Sequence, residues 1–317
     1  MNRPVPDVLD LIRARAARRS RPPHGDGASI ALAVEGGAMR GVISAGMVWA
    51  LEDLGLVSAF DAVYGSSAGA INAAYFLAGQ AGVGTTIYYE DINNRAFIDL
   101  ARPLRGRPIV NLPYLLDDVA RHRKRLDVTR VIESSAPLTV LATDVDSQSS
   151  SVLDGFADGA SLIAALRASA TMPIVAGGPF LHQGRRYLDA SLSEPIPIVT
   201  AEARGHTHIL VLLTRSGAMH PRPSALDRYF VGPRLRGVSP ALAERYLSRA
   251  APYAELIKAI DAGTGPRGTA IVQGIRVAGL RISRLERQAA VLRDGAKQGY
   301  DAVMAAFGSS RPRETRP

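Results

Sequence analysis

The sequence contains no cysteine among its 317 residues. Disulfide bonds, thiolate metal sites and a cysteine nucleophile are therefore excluded together. Aromatic residues are scarce, at 6% of the chain, and there is neither an RNA-binding signature nor zinc-finger spacing, so we expect no nucleic-acid partner. No uninterrupted apolar run reaches the roughly 20 residues of a membrane span, and the N-terminus lacks the apolar core of a secretory signal. We therefore expect a cytoplasmic protein, with peripheral contact to the inner face of the membrane as an open alternative.

Lysine is nearly absent as well, because Lys124, Lys258 and Lys297 are the only three in the chain. The formal net charge of +9 is therefore carried by arginine. A basic surface favours an anionic partner, and without nucleic-acid signatures we favour an anionic lipid surface. Asp144 and Asp146 lie close together, but no histidine or glutamate spacing supports a metal site, so they indicate a turn. We expect neither a metal nor an organic cofactor.

The chain is organised around residues 29–79, where a strand, a tight turn and a helix follow one another twice. The first apolar run, Ile30 to Val34, ends at Glu35-Gly36-Gly37. The second, residues 60–64, ends at Gly65-Ser66-Ser67-Ala68-Gly69. Both turns are rich in glycine, and both lead into an apolar helical segment.

The second turn fits the pattern G-x-S-x-G with Ser67 at its centre. In such an elbow the serine hydroxyl is presented at the N-terminus of the following helix, and small neighbours allow the sharp bend. Unpaired N–H groups there, and in the first turn, suit the oxyanion of an acyl-transfer intermediate. A nucleotide-phosphate loop is the alternative for the first turn, but Ala38 breaks the dinucleotide fingerprint G-x-G-x-x-G.

Taken together, these motifs resemble those of the bacterial patatin-like phospholipases over about residues 29–215. The hallmarks of that family are a Gly-Gly-Gly-x-Arg-Gly oxyanion turn, a G-x-S-x-G elbow and a later Asp-Gly-Gly or Asp-Gly-Ala. The matching segments here are Gly36-Gly37-Ala38-Met39-Arg40-Gly41, Gly65-Ser66-Ser67-Ala68-Gly69 and Asp189-Ala190-Ser191. Two departures stand out: Ala38 in place of the third glycine, and Ala190-Ser191 after the aspartate. Ala38 and Ala190 are each compatible with their turns if their φ angles are below zero.

Three kinds of base for Ser67 remain open on the residues alone. A histidine would give the α/β-hydrolase order, completed by His206, His208 or His220 after Asp189, but only two strand candidates precede Ser67. All three lysines lie in polar, helix-like segments. The resemblance implies a Ser67–Asp189 dyad, in which Asp189 begins a turn of small residues after an apolar strand. Because a carboxylate is a weak base, such a dyad depends on the oxyanion turn and on burial of the carboxyl group.

The resemblance implies an α/β fold of three layers, with a mostly parallel central sheet and helices on both faces. It also implies a lipid acyl hydrolase of the phospholipase A type. Ser67 and Asp189 would be catalytic, and Gly36, Gly37 and Ala38 would form the oxyanion hole. Arg40, Gly41, Gly65 and Gly69 would support the turns. A catalytically silent lipid-binding module and a serine acyltransferase remain alternatives on the same scaffold, and the oligomeric state is open.

The domain organisation has three predicted parts. Residues 1–28 form a basic segment and linker, residues 29–308 the enzyme domain with a mainly helical part at 224–308, and residues 309–317 a disordered tail. Within the helical part we expect helices over roughly 240–260 and 283–307. In the first part, Val5, Val8, Leu9, Ile12 and Ala16 repeat at helical spacing beside a crowd of arginines. This helix could lie on an anionic membrane or dock on its own domain. Residues 84–125 are expected to cap the active site, as the resemblance implies.

Overall fold

The computed structural model describes residues 7–19, 21–173, 175–216, 223–225 and 227–308. Its centre is one eight-stranded sheet in the order β5-β6-β3-β2-β1-β7-β8, with β4 paired to β3. The strands are β1 Ile30–Val34, β2 Ala62–Ser66, β3 Leu138–Asp144, β4 Ser149–Leu153, β5 Phe180–His182, β6 Arg185–Leu188, β7 His208–Leu212 and β8 Ile271–Ile275. The five strands β1, β2, β3, β7 and β8 are parallel, while β4, β5 and β6 join the edge in antiparallel pairs.

The sheet is covered on both faces, which explains why its central strands are continuously apolar. In β1 the side chains alternate: Leu32 and Val34 belong to a large core with the helices of one face, whereas Ala31 and Ala33 face a second, smaller core. The helices are α1 Val8–Ala17, α2 Val42–Asp53, α3 Ala68–Leu77, α4 Ala81–Glu90, α5 Val128–Ile132, α6 Gly159–Ala170, α7 Ile198–Ala203, α8 Gly232–Val238, α9 Pro240–Ser248, α10 Ala250–Asp261 and α11 Ala289–Ala306. The predicted three-layer α/β fold is confirmed.

Two helices differ from their predicted extents. The single helix expected over 240–260 is two helices, α9 and α10, which meet at Arg249. Pro252 lies in the first turn of α10, and within one continuous helix it would clash with the carbonyl four residues earlier. The helix expected from 283 begins at Ala289. The segment before it is held instead by tertiary contacts, among them the bond from Met39 N–H to the carbonyl of Arg284.

The helix predicted near the N-terminus is α1, and it packs on the domain. Val8, Leu9 and Ile12 belong to the large core, and the guanidinium of Arg15 is 2% exposed. Arg15 forms ion pairs of 2.8 Å with both Asp26 and Asp61 and donates to two backbone carbonyls. The apolar face of α1 is therefore turned towards the protein. Residues 1–6 and the predicted tail 309–317 lie outside the described residues.

Candidate active site

Ser67 lies at the bend between β2 and α3, in a backbone conformation that side chains rarely adopt. Its φ is 54° and its ψ is −126°. Such a conformation stores strain and persists where the surroundings fix it. Here the N–H of Ser67 donates a 2.8 Å hydrogen bond to Ser169 Oγ. The bend directs the Ser67 hydroxyl towards a cavity at the carboxyl edge of the sheet.

The elbow requires glycine because the backbone packs so closely around it. A Cβ on Gly69 would stand 2.3 Å from the carbonyl oxygen of Val34, at the end of the neighbouring strand. A Cβ on Gly36 would stand 3.0 Å from Ser67 Cβ, so the first turn lies directly against the elbow. Gly65 is in β2, in contact with Ala70 of α3, and Gly41 ends a short 3-10 turn before α2. The two glycine turns found in the sequence thus meet around Ser67.

Asp189 follows β6 and is brought to Ser67 from the other side. The Ser67 hydroxyl donates a 2.7 Å hydrogen bond to Asp189 Oδ2, and the N–H of Ser191 donates one of 2.8 Å to Oδ1. The backbone of Asp189 is held at both ends, by the carbonyl of Thr171 and the hydroxyl of Thr143. Ala190 begins a 3-10 turn, and its φ is not positive. Alanine is therefore compatible with the turn after Asp189, as expected.

Burial is the largest influence on the Asp189 carboxyl group and raises its pKa above the ordinary value. The hydrogen bonds from Ser191 and Ser67, and the more distant charge of Arg284, act in the opposite direction. A raised pKa makes the carboxylate a stronger base, which is what a serine hydroxyl needs from it.

The histidines predicted as alternatives lie elsewhere or outside the described residues. His206 is hydrogen-bonded to Ser29 and to Tyr64, at 2.8 and 2.9 Å. Ser29 precedes β1, so this histidine is at the amino edge of the sheet, the edge opposite Ser67. His208 shares that edge, as the first residue of β7, and His220 is outside the described residues.

The lysines are also engaged away from Ser67. Lys124 pairs with Asp91 at 3.1 Å, Lys258 with Glu255 at 2.8 Å, and Lys297 with Asp301. Asp144 accepts the N–H groups of Asp146 and Ser147, as expected of a turn. Across the described ranges no group of three His, Cys, Asp or Glu side chains could hold a metal ion.

The expectation that Ala38 has a φ below zero is wrong, because its φ is 52°. The family's third glycine would adopt this left-handed conformation freely, whereas alanine is strained in it. Among the described residues, no acceptor is found for the N–H groups of Gly36, Gly37 and Ala38. These three donors remain available beside Ser67.

Glu35, at the start of this turn, is a buried carboxylate that ties it to the C-terminal part of the chain. Its two oxygens accept from the N–H of Thr214 at 2.6 Å and from the Tyr253 hydroxyl at 2.9 Å. Arg215 lies 3.5 Å away and stacks over the Tyr253 ring. Burial, followed by the charge of Arg215, lowers the pKa of Arg40 to about 10. Arg40 is linked to Glu35 through the Thr214 hydroxyl, which accepts from Arg40 Nε at 3.4 Å and donates to Glu35 Oε2 at 3.0 Å. The guanidinium groups of Arg40 and Arg215 therefore both lie near the Glu35 carboxylate.

Ser67 and Asp189 line a cavity of about 390 Å³ whose lining includes two contrasting groups of side chains. One group is apolar and includes Ile71, Ile87, Tyr88, Ile92, Phe97, Ile98, Val110, Leu112, Leu115, Met172 and Val175. The other group consists of the arginines Arg40, Arg215, Arg245, Arg249 and Arg284. Much of the apolar group comes from residues 84–125, the predicted cap.

Sequence reasoning missed several residues that build this site. Arg215, Tyr253 and Arg284 come from parts of the chain with no local motif, so only the fold brings them to the cavity. Ser169 could be predicted to lie near Ser67, since residues 167–173 resemble the segment of patatin-like phospholipases that packs beside the catalytic turn.

The fold and the site together define a class of protein: a three-layer α/β domain with a serine at a strand–helix elbow and an aspartate hydrogen-bonded to it. The chain belongs to the patatin-like phospholipase family, whose model matches residues 32–202. None of the helices in the described ranges is long and apolar enough to cross a membrane.

The chain is similar in sequence to one protein and in structure to two solved proteins. It is 26% identical over 232 residues to the uncharacterized protein YjjU of Escherichia coli K12, a match that covers 72% of this chain and 62% of that protein. The solved structure of VipD from Legionella pneumophila is similar with a TM-score of 0.46 at 14% identity, over 89% of this chain and 66% of that one. Human GIVD cytosolic phospholipase A2, in complex with methyl gamma-linolenyl fluorophosphonate, gives a TM-score of 0.45 at 13% identity, over 95% and 61%.

Proposed function

We propose that the protein is a serine hydrolase that cleaves acyl esters of lipids, in the manner of a phospholipase A, with Ser67 as nucleophile and Asp189 as base. The observation that carries the proposal is the 2.7 Å hydrogen bond from Ser67 Oγ to Asp189 Oδ2 inside an acyl-chain-sized cavity. Membership of the patatin-like phospholipase family supports lipid hydrolysis as the activity.

In the first half of the reaction, Ser67 Oγ attacks the ester carbonyl carbon while its proton passes to Asp189 Oδ2. The carbonyl oxygen becomes an oxyanion that accepts from the free N–H groups of Gly36, Gly37 and Ala38. When the intermediate collapses, the bond to the leaving alcohol breaks and Asp189 returns the proton to that alcohol. An acyl group remains on Ser67.

In the second half, water takes the place of the alcohol. Asp189 accepts a proton from the water as its oxygen attacks the acyl carbon, and the same N–H groups receive the new oxyanion. Collapse breaks the bond to Ser67 Oγ, the proton returns to Ser67, and the fatty acid leaves. No metal or organic cofactor enters either half.

The cavity lining supports a lipid with one apolar and one anionic part. Its apolar side chains suit an acyl chain, since they are aliphatic or aromatic. Among its arginines, Arg215 Nε has no hydrogen-bond partner and lies 3.5 Å from Glu35, and Arg40 has no ion pair within the described residues. An anionic group of the substrate would pair with these guanidinium groups.

Labelling with a fluorophosphonate probe, together with hydrolysis of chromogenic esters of graded chain length, tests the proposal. Ser67→Ala should abolish both while the protein still folds and unfolds in one cooperative thermal transition. Ser66→Ala is the matched control, because the Ser66 hydroxyl donates to the backbone carbonyl of Glu194 and makes no bond to the Asp189 carboxylate. This variant should keep most activity. Full hydrolysis by Ser67→Ala would overturn the mechanism. Absence of labelling in the wild type would favour a silent lipid-binding module, and acyl transfer to an added alcohol in preference to water would favour an acyltransferase.

A further inference from the structure

A loop formed by residues 99–107, here called the rim loop, holds two large apolar side chains out of the protein. Leu104 is 90% exposed and Leu100 is 68% exposed. Most apolar side chains of this size in the chain are buried in its cores. Two leucines this exposed within five residues mark a contact surface more strongly than scattered single ones do.

The rim loop has a fixed shape. The Arg102 guanidinium donates to the carbonyls of Arg95, Ala96 and Phe97, which closes the loop on itself. Gly106 ends the 3-10 turn Arg102–Arg105 in a left-handed conformation, with φ of 67°. Below these bonds the two arms pair through the bridge between Ile98 and Val110. The exposed leucines are therefore held outward by an ordered turn.

The same loop carries a net positive charge, with three arginines and one aspartate in residues 99–107. Arg105 and Arg107 are both exposed, and neither has an ion pair with any described carboxylate. The aspartate, Asp99, accepts the N–H of Ala101. Two leucines flanked by two free arginines give a surface that is apolar at its tip and cationic beside it.

The rim loop also borders the active-site cavity. Phe97, Ile98 and Val110 at its base line the cavity, and the N–H of Val110 donates to the carbonyl of Val175, another lining residue. A second exposed apolar pair lies on the helical turn Asp227–Val231, whose two end residues line the cavity as well. That pair is Tyr229, 74% exposed, and Phe230, 53% exposed.

We propose that the rim loop docks the protein on an anionic phospholipid surface, with Leu100 and Leu104 inserted at the acyl boundary and Arg105 and Arg107 on the phosphate groups. Apolar insertion combined with basic side chains is how peripheral proteins bind such surfaces. Docking in this orientation would bring the cavity residues at the base of the rim loop, Phe97, Ile98 and Val110, close to the lipid. The occupant is a lipid surface because three arginines against one aspartate give residues 99–107 a net positive charge that complements anionic head groups. For its effect on turnover, the inference rests on the proposed function, whereas binding is independent of it.

Binding is measured by co-sedimentation with phosphatidylglycerol vesicles, using full-length Ser67→Ala protein so that no lipid is consumed. Leu100→Ser with Leu104→Ser should reduce the partition coefficient by about tenfold or more, since each leucine loses its apolar insertion. The matched control is Leu181→Ser, a leucine 67% exposed on β5, whose hairpin contributes no described residue to the cavity. Arg105→Gln with Arg107→Gln should weaken binding to phosphatidylglycerol vesicles roughly fivefold per charge and leave binding to phosphatidylcholine vesicles unchanged.

In the active protein, the leucine pair should lower hydrolysis of vesicle lipid and leave kcat/KM for a dissolved short-chain ester unchanged. Unaltered vesicle binding by the leucine pair, or an equal loss in Leu181→Ser, would overturn the inference. So would a change of oligomeric state in the leucine pair without a change in vesicle binding, because the loop would then be a protein interface. Vesicle binding that depends on the rim loop in a protein without esterase activity would uphold the inference and reject the proposed function.

Discussion

Ser67 Oγ and Asp189 Oδ2 lie 2.7 Å apart while both side chains are almost completely shielded from solvent, at 9% and 4% exposed. A carboxylate placed in this way loses most of its hydration. Only a few hydrogen bonds replace that hydration, so the ionised form is disfavoured. This relationship between two residues makes both activity and stability depend on pH.

The esterase activity should rise with pH, and the rise should occur at a pH above the ordinary pKa of an aspartate side chain. Asp189 must be ionised to accept the Ser67 proton, and burial raises its pKa. The measurement is kcat/KM for a soluble ester between pH 4 and pH 9. Asp189→Asn should lower turnover by several orders of magnitude at every pH, whereas alanine at His206 or His208 should cost little. A histidine as essential as Asp189 would reject the dyad.

Asp189→Asn should raise the stability of the protein at neutral pH, although it lowers turnover. Because the folded-state pKa of Asp189 is raised, its favourable contribution is fully present below the unfolded-state pKa and is lost as pH rises through the folded-state value. At neutral pH the buried carboxylate is therefore destabilising, and asparagine should raise Tm. The gain should shrink as the pH falls towards 4. A gain that is independent of pH would show that the charge of Asp189 is not its cause.

Ala38→Gly should stabilise the protein. The left-handed conformation of Ala38 costs about 1 to 2 kcal/mol for alanine, and the greater freedom of glycine in the unfolded chain offsets roughly 0.4 to 1 kcal/mol of the gain. A net increase of up to about 1.6 kcal/mol in the free energy of unfolding is expected from denaturant titration. Esterase activity should be kept, since glycine retains the N–H. Ala160→Gly, in the first turn of α6, is a control that should destabilise.

The position of Ser67 at a bend between a strand and a helix could be predicted from the sequence because its signal is local: a strand, a tight glycine turn and a helix within a short stretch. Asp189, 122 residues away in the chain, was linked to it by family resemblance, and the structure brings the two together. The left-handed φ of Ala38 could not be foreseen, because the residue type alone argues against it. Arg215 and Tyr253 could not be placed either, since their positions depend on how β7 and α10 pack against the first turn. Long-range contacts between polar side chains leave no periodic pattern in the sequence.

Tyr253→Phe should loosen the turn that holds Glu35 just before the proposed oxyanion donors. The Tyr253 hydroxyl donates to Glu35 Oε1 at 2.9 Å, and its loss leaves a buried carboxylate oxygen one donor short. Hydrogen bonds to charged groups contribute about 1.5 to 3 kcal/mol, so the free energy of unfolding should fall by that amount. We expect kcat for a soluble ester to fall as well. Tyr229→Phe, at an exposed tyrosine, is the control, and equal losses in the two variants would reject this role for Tyr253.

Arg15→Met should be strongly destabilising because it leaves two carboxylates without their shared partner. Arg15 pairs with Asp26 and Asp61 at 2.8 Å, and breaking a buried ion pair of this kind costs on the order of 3 to 5 kcal/mol. Arg18→Met, at an exposed arginine that follows the same helix, should be close to neutral. The hydrogen bond from Arg15 lowers the pKa of Asp26 to about 2. A depressed pKa gives stability that is present above the unfolded-state value and lost as pH falls from about 4 to 2. The wild type should show this acid loss and Arg15→Met should lack it.

Deletion of residues 1–24 separates the two interpretations of the N-terminal segment. If the segment bound membranes, its loss would weaken co-sedimentation with anionic vesicles and leave folding intact. The structure instead buries Val8, Ile12 and Arg15 against the domain, so the deletion should lower Tm by removing part of the core. Vesicle binding should persist below the new Tm, because the proposed membrane contact lies on the rim loop. Loss of vesicle binding without a change in Tm would return the membrane contact to the N-terminus.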